Sequence, residues 1–294
     1  MRPVHTLRSD GFQARLLSPL GSYPAESFYS KNAALVVEED ICLSIVRWKE
    51  EEGFSEIDNL APADIPILGT VLLCVERGQQ PIYPYPTHQS ILLQTSASQL
   101  LEVDTASEAA KWLRAFVTRH KLEYGVADSI HRPPAAGGLR YEVVASNDRN
   151  MSRGIVLSHL ESADAVEIRG VTSLIKTNMA WRHNELHEAA CVSLWIALDA
   201  AFSVILARLR NTGVQSPTAK DAADYLNRTY GILDGPEKFF EMDYENRIRF
   251  IHPESRFGAE ARPWLLADDF YELNENLIDL FYFFATGIAR DRQA

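Results

Sequence analysis

The chain has 294 residues, 46% of them hydrophobic and 23% charged, a composition that excludes a largely disordered protein. Its 29 Lys and Arg stand against 40 Asp and Glu, a formal charge of −11, which argues against broad nucleic-acid binding and against a DNA partner while leaving room for a small basic site. Cys42, Cys74 and Cys191 each sit inside an apolar run with no CxxC spacing, so buried thiols in a reducing, cytoplasmic setting are expected.

The first half, residues 1–160, reads as a mixed α+β domain whose role the sequence leaves open. Ala33–Val37 and Ile41–Trp48 are β-branched runs on either side of an acidic turn, the pattern of a hairpin. Ile67–Val75 and Ile91–Thr95 are further apolar runs of strand length. Between them, the prolines of Pro81–Pro86 favour an extended loop. Thr105 and Glu108 form a capping box ahead of Ala109, Trp112, Leu113, Phe116 and Val117, which recur at helical spacing. Pro133–Gly138 marks a loop, and Arg140–Ala145 and Gly154–Leu157 read as two more strands.

The second half, residues 161–294, reads as an all-α bundle. Ala163, Val166, Val171, Leu174, Ile175 and Met179 mark one helix. Leu186, Ala190, Leu194, Ala197, Leu198, Ala201, Ile205 and Leu209 give a second, from about 185 to 210, a continuous apolar stripe. Gly213 suits its left-handed cap. Thr218 and Asp221 open a third, and a fourth spans about 237–251, stopped by Pro253. A fifth, from about Asp268 to Ala289, turns Phe270, Leu273, Leu277, Leu280, Phe281 and Phe284 inward, with Asp268 and Asp269 capping its start. The longest apolar stretch, Val192–Leu206, is interrupted by Asp199 and is shorter than a membrane span requires, so no membrane contact is expected. Asp199, on an otherwise apolar helix, reads as a buried carboxylate in need of a partner, and Arg247 can supply one across the bundle.

The fourth helix ends in Tyr244-Glu245-Asn246-Arg247-Ile248-Arg249-Phe250-Ile251-His252-Pro253. The Arg247–His252 spacing resembles the Arg-x(4–6)-His signature of the HEPN superfamily, and its setting looks like Apea-like members. Their long helix with a Trp-x-Ala-Leu-acidic patch is matched by Trp195-Ile196-Ala197-Leu198-Asp199, and their Tyr-x-x-Arg entry by Tyr244 to Arg247. The resemblance covers about residues 162–290. It implies a homodimer through the C-terminal bundle whose paired Arg and His residues meet in a cleft that binds RNA and, in active members, cuts it without a metal or cofactor. Arg247, His252 and Asp199 would then be catalytic, and Arg249, Tyr244 and Asn246 would contact RNA or its phosphates. Two positions depart from the active pattern: Ile248 replaces a small polar residue and Pro253 a glycine.

The chemistry of such a pair is coherent. A histidine titrates near neutrality and can move a proton on a ribose 2′-hydroxyl. An arginine offers a planar, permanent charge to the scissile phosphate. The cytoplasmic, defence-type endoribonuclease this implies stands beside a second class, a non-catalytic dimerising module whose N-terminal half recognises a partner. A structural Arg247–Asp199 bridge and a helix-terminal His252 favoured by the dipole account for the same residues without chemistry. His183 and His187, at i and i+4, would clamp a metal if one helix carried both, with Glu188 or His159 as third ligand; a polar helix start is the simpler use.

Overall fold

The structure is a computed structural model that describes residues 11–19, 27–30, 32–38, 41–48, 64–74, 84–94, 147–229, 240, 247 and 267–289. The chain divides into two compact units, residues 1–71 with 80–158 and residues 72–79 with 159–294. The fold is mixed α+β with a helical region. The expected helix over 105–121, the 133–138 loop and the Arg140–Ala145 strand lie outside the described residues, as does the fourth helix apart from Phe240 and Arg247.

Among the described residues the first unit has five strands: β1 (Gly11–Pro19), β2 (Ser27–Tyr29), β3 (Ala33–Glu38), β4 (Ile41–Trp48) and β5 (Pro84–Gln94). They form one antiparallel sheet in the order β2-β3-β4-β1-β5. The expected hairpin is β3–β4, with Glu38 opposite Ile41. Consecutive residues on both strands are buried, Ala33 to Val36 and Leu43 to Val46. The centre of the sheet is therefore covered on both faces, because successive side chains point to opposite sides.

Three expectations fail in this unit. The Ile67–Val75 run is helical, α1 (Ile65–Leu73); a short, uniformly apolar segment has no period to separate strand from helix. Pro84 and Pro86 do not end the extended structure but open β5, opposite Pro19 and Leu17 of β1. Among the described strands β5 is an edge, where a missing amide donor is tolerated. Gly154–Leu157 lies inside a helix, α2 (Asn147–Leu160). There Arg153, 5% exposed, lies over the Phe28 ring at 5.9 Å. The Ser44 hydroxyl donates to buried Asp64 at 3.2 Å, just ahead of α1.

The described part of the second unit is helical: α3 (Ala165–Ala180), a 3-10 turn (Asn184–Leu186), α4 (His187–Asn211), α5 (Ala219–Thr229) and α6 (Ala267–Thr286). Their ends follow local chemistry. The Asp164 carboxylate caps α3 by accepting from the amides of Val166 and Glu167, both at 2.9 Å. At the end of α4, Gly213 adopts φ 99°, its amide donates to Arg210 O, and that of Val214 donates to Leu209 O. This is a Schellman closure. Thr218 and Asp221 exchange bonds ahead of α5, with the Asp221 carboxylate accepting from the Thr218 amide at 2.8 Å. Those donors, backbone first and hydroxyl second, hold the Asp221 carboxyl below its ordinary value.

Helix α4 is the centre of the unit, packed against α3, α5 and α6. At 25 residues it has the expected length, but the apolar segment, expected to be too short for a membrane span, has in Asn184–Asn211 the length and apolarity to cross one. It packs here as a core helix: its stripe from Ala190 to Leu209 is buried, as are all six inward residues of α6. Of the residues assigned to stripes, Val166 is 44% and Leu186 38% exposed, and Ala163 and Met179 are half-buried, each near a helix end where the stripe runs out of neighbours. Gly170 on α3 lets three helices close together. A Cβ there would lie 2.3 Å from Phe281 Cζ and 3.0 Å from Ala200 Cβ. Asn178 and Asn274 exchange amide bonds of 3.0 and 3.2 Å between α3 and α6, deep in the apolar interior. Asp268 and Asp269 lie within the first turn of α6, placed to favour its dipole.

Candidate functional site

Asp199 stands at the midpoint of α4. The Arg247 guanidinium donates from Nη1 to its Oδ1 at 2.5 Å. The structure thus brings together two of the three residues expected to be catalytic. The carboxylate is not the buried group that its apolar neighbours suggested: its side chain is 50% exposed, and that of Arg247 is 19% exposed. The reason is rotational position. The buried stripe of α4 faces α3, α5 and α6, whereas Val192, Asp199 and Ser203 fall on another side, and both Val192 and Ser203 are exposed.

One turn beyond Asp199, the Phe202 ring meets Phe240 at 5.1 Å, tilted by 44°. Phe240 is only 2% exposed. Burying such a ring contributes about 1.5–3 kcal/mol, and an aromatic pair about 0.5–1.5 kcal/mol more. An ion pair reaching into water contributes about 0.2–1 kcal/mol. Of the two described contacts that Phe240 and Arg247 make with α4, the ring pair is the less exposed.

Tyr244, Asn246, Arg249 and His252 lie outside the described residues, as do Ile248 and Pro253. Arg208 lies in the last turn of α4. Its guanidinium lies 4.5 Å from the Phe284 ring and donates to Phe284 O at 3.2 Å, satisfying a carbonyl near the end of α6.

The histidine clamp does not form. His183 precedes the 3-10 turn and His187 begins α4, so no single helix carries both. His187 Nε2 bonds to Trp181 O at 2.9 Å, and its ring stacks on Trp181 at 4.1 Å. Among the described residues no group of three or more His, Cys, Asp or Glu is placed to hold a metal. His159, offered as a third ligand, pairs instead with Glu167 at 2.7 Å, while Glu188 is exposed. Cys191 is buried as expected, but Cys74 is partly exposed.

Two constellations escaped the sequence reading. Trp181 is held between His187 and Phe270, the latter at 3.6 Å and nearly parallel, and its indole N–H donates to the Tyr271 hydroxyl at 2.9 Å. The four residues come from three elements, so spacing carried no signal. The His159–Glu167 pair joins the last turn of α2 to the first turn of α3 at 2.7 Å. Recognising the helix over 147–160 would have exposed it.

No family model matches the chain, and neither the curated proteins nor the solved structures give a match.

Proposed function

We propose that this is a HEPN-like, RNA-directed protein, a metal-independent endoribonuclease of a bacterial defence or toxin type that works as a cytoplasmic homodimer. One observation carries the reading: Arg247, the first residue of the Arg-x(4)-His motif, sits on the acidic residue of the long central helix that the motif's setting calls for. The resemblance rests on that motif and its setting, without a family match behind it.

In this reading the Arg247 guanidinium holds the scissile phosphate and stabilises its developing charge, and Asp199 orients the guanidinium. His252 takes the proton from a ribose 2′-hydroxyl as its oxygen attacks phosphorus. The 5′-oxygen leaves and takes a proton from water, giving a 2′,3′-cyclic phosphate and a free 5′-hydroxyl. Arg249, Tyr244 and Asn246 would line the RNA path. The exposed small and apolar residues of α4, Ala189, Val192, Ser203 and Ala207, are suited to close approach of a second copy.

The same uncovered side of α4 also favours the second reading, a non-catalytic dimerising module whose N-terminal half recognises a partner. The two part in one experiment. Purified protein is incubated with total RNA in EDTA, beside Arg247→Ala and His252→Ala. The nuclease reading expects chelator-resistant cleavage in wild type, reduced by roughly 10²-fold or more in each variant. Stable dimers with no RNA loss would sink it in favour of the interaction module.

A further inference from the structure

We infer that Phe240, seated on Phe202, is the positioning residue of the Arg247 site, and that Asp199 depends on it. The inference deepens the reading above and rests on it for its RNA arm alone. The stretch carrying Arg247 touches α4 at two described points: Phe240 at Phe202 and Arg247 at Asp199. The two contacts fall on successive turns of α4, Arg247 at Asp199 and Phe240 at Phe202.

The two contacts are unequal. Phe240 is sealed at 2% exposure, whereas the Asp199 side chain is half in water. An arginine side chain has several rotatable bonds, and a carboxylate open to solvent can exchange it for water at little cost. A ring packed in an interior has no such alternative. Asp199 therefore selects the guanidinium's final orientation only after the ring contact has delivered the backbone of Arg247 to α4. A phosphate clamp needs that delivery, because small misplacements of a reacting or binding group are costly.

The test is a double-mutant cycle on the full chain, Asp199→Ala with Arg247→Ala, read as shifts in the urea midpoint. In the wild-type background the double variant should shift less than the sum of the single ones, the mark of coupling. In a Phe240→Leu background the shifts should become additive. Coupling that persists in folded Phe240→Leu overturns the inference. If Phe240→Leu does not fold, Phe202→Leu removes the same contact from a partly exposed position and replaces it in the cycle. A second arm measures affinity for a single-stranded RNA oligonucleotide. Phe240→Leu and Arg247→Ala should each weaken it by roughly tenfold or more, and a Phe240→Leu that binds as wild type does overturns the positioning role. A wild type that binds no RNA overturns the reading under Proposed function, while the coupling cycle, which needs no ligand, still decides the role of Phe240.

Discussion

Replacing Gly170 by alanine tests how tightly α3, α4 and α6 close on one another. The added methyl would stand 2.3 Å from Phe281 Cζ, 2.8 Å from Cε1 and 3.0 Å from Ala200 Cβ. Carbon atoms pack best at about 3.5–4.0 Å, so the ring must retreat by about 1.2 Å. Phe281 is fully buried and meets Phe284 edge-on at 5.5 Å, which leaves it nowhere to go in a close-packed interior. Overpacking of this kind costs about 1–3 kcal/mol. Alanine returns about 1 kcal/mol through its helix preference, leaving a net loss of up to about 2 kcal/mol. Urea unfolding of the helical unit, followed by far-ultraviolet circular dichroism, should show a lower midpoint at unchanged slope. Phe281→Leu destabilises on its own, but it removes the ring atoms in conflict. The double variant should therefore be more stable than the sum predicts, by about the 1–3 kcal/mol of the clash. A gain in stability from Gly170→Ala alone, or additivity within about 0.5 kcal/mol, would refute the three-helix contact.

Two further outcomes follow from the polar groups. Asn178→Ala leaves the buried Asn274 amide without its reciprocal partner and should cost about 1–3 kcal/mol in urea unfolding, whereas Asn178→Leu with Asn274→Leu should cost less than the two single changes summed. The Asp221 carboxyl is held below its ordinary value by the Thr218 amide and hydroxyl. Its contribution to α5 is therefore present above the unfolded carboxylate value and is lost as pH falls through the lower, folded one. Titration of Asp221 by NMR should show that depressed value, and Thr218→Ala should move it back toward normal; an unmoved titration would contradict the capping box.

The helical half was legible where local chemistry decides the outcome. Gly213, the Thr218–Asp221 box and the α6 stripe act within a turn of themselves, and each formed as read. Strand and helix were confused where the run was short and uniformly apolar, as in α1, or where glycine and β-branched residues lay together in α2. The prolines of β5 misled because their tolerance depends on an edge position, which is a property of the whole sheet. At the candidate site the Asp199–Arg247 contact was readable, because a lone acid on an apolar helix calls for a cation. The exposure of Asp199 was not, because it depends on which side of α4 its neighbours leave open. Phe202 and Phe240 gave no signal, since each looks like any other core aromatic.

The place of Asp199 within α4 also matters apart from the ion pair. By length and apolarity alone, the segment Asn184–Asn211 resembles a membrane span. An acidic residue in the middle of a would-be span raises the insertion cost by about 2.5–3.5 kcal/mol, more than at any other depth. A carboxylate at that depth opposes transfer of the helix into lipid, so an apolar replacement of Asp199 would remove that cost along with the ion pair to Arg247.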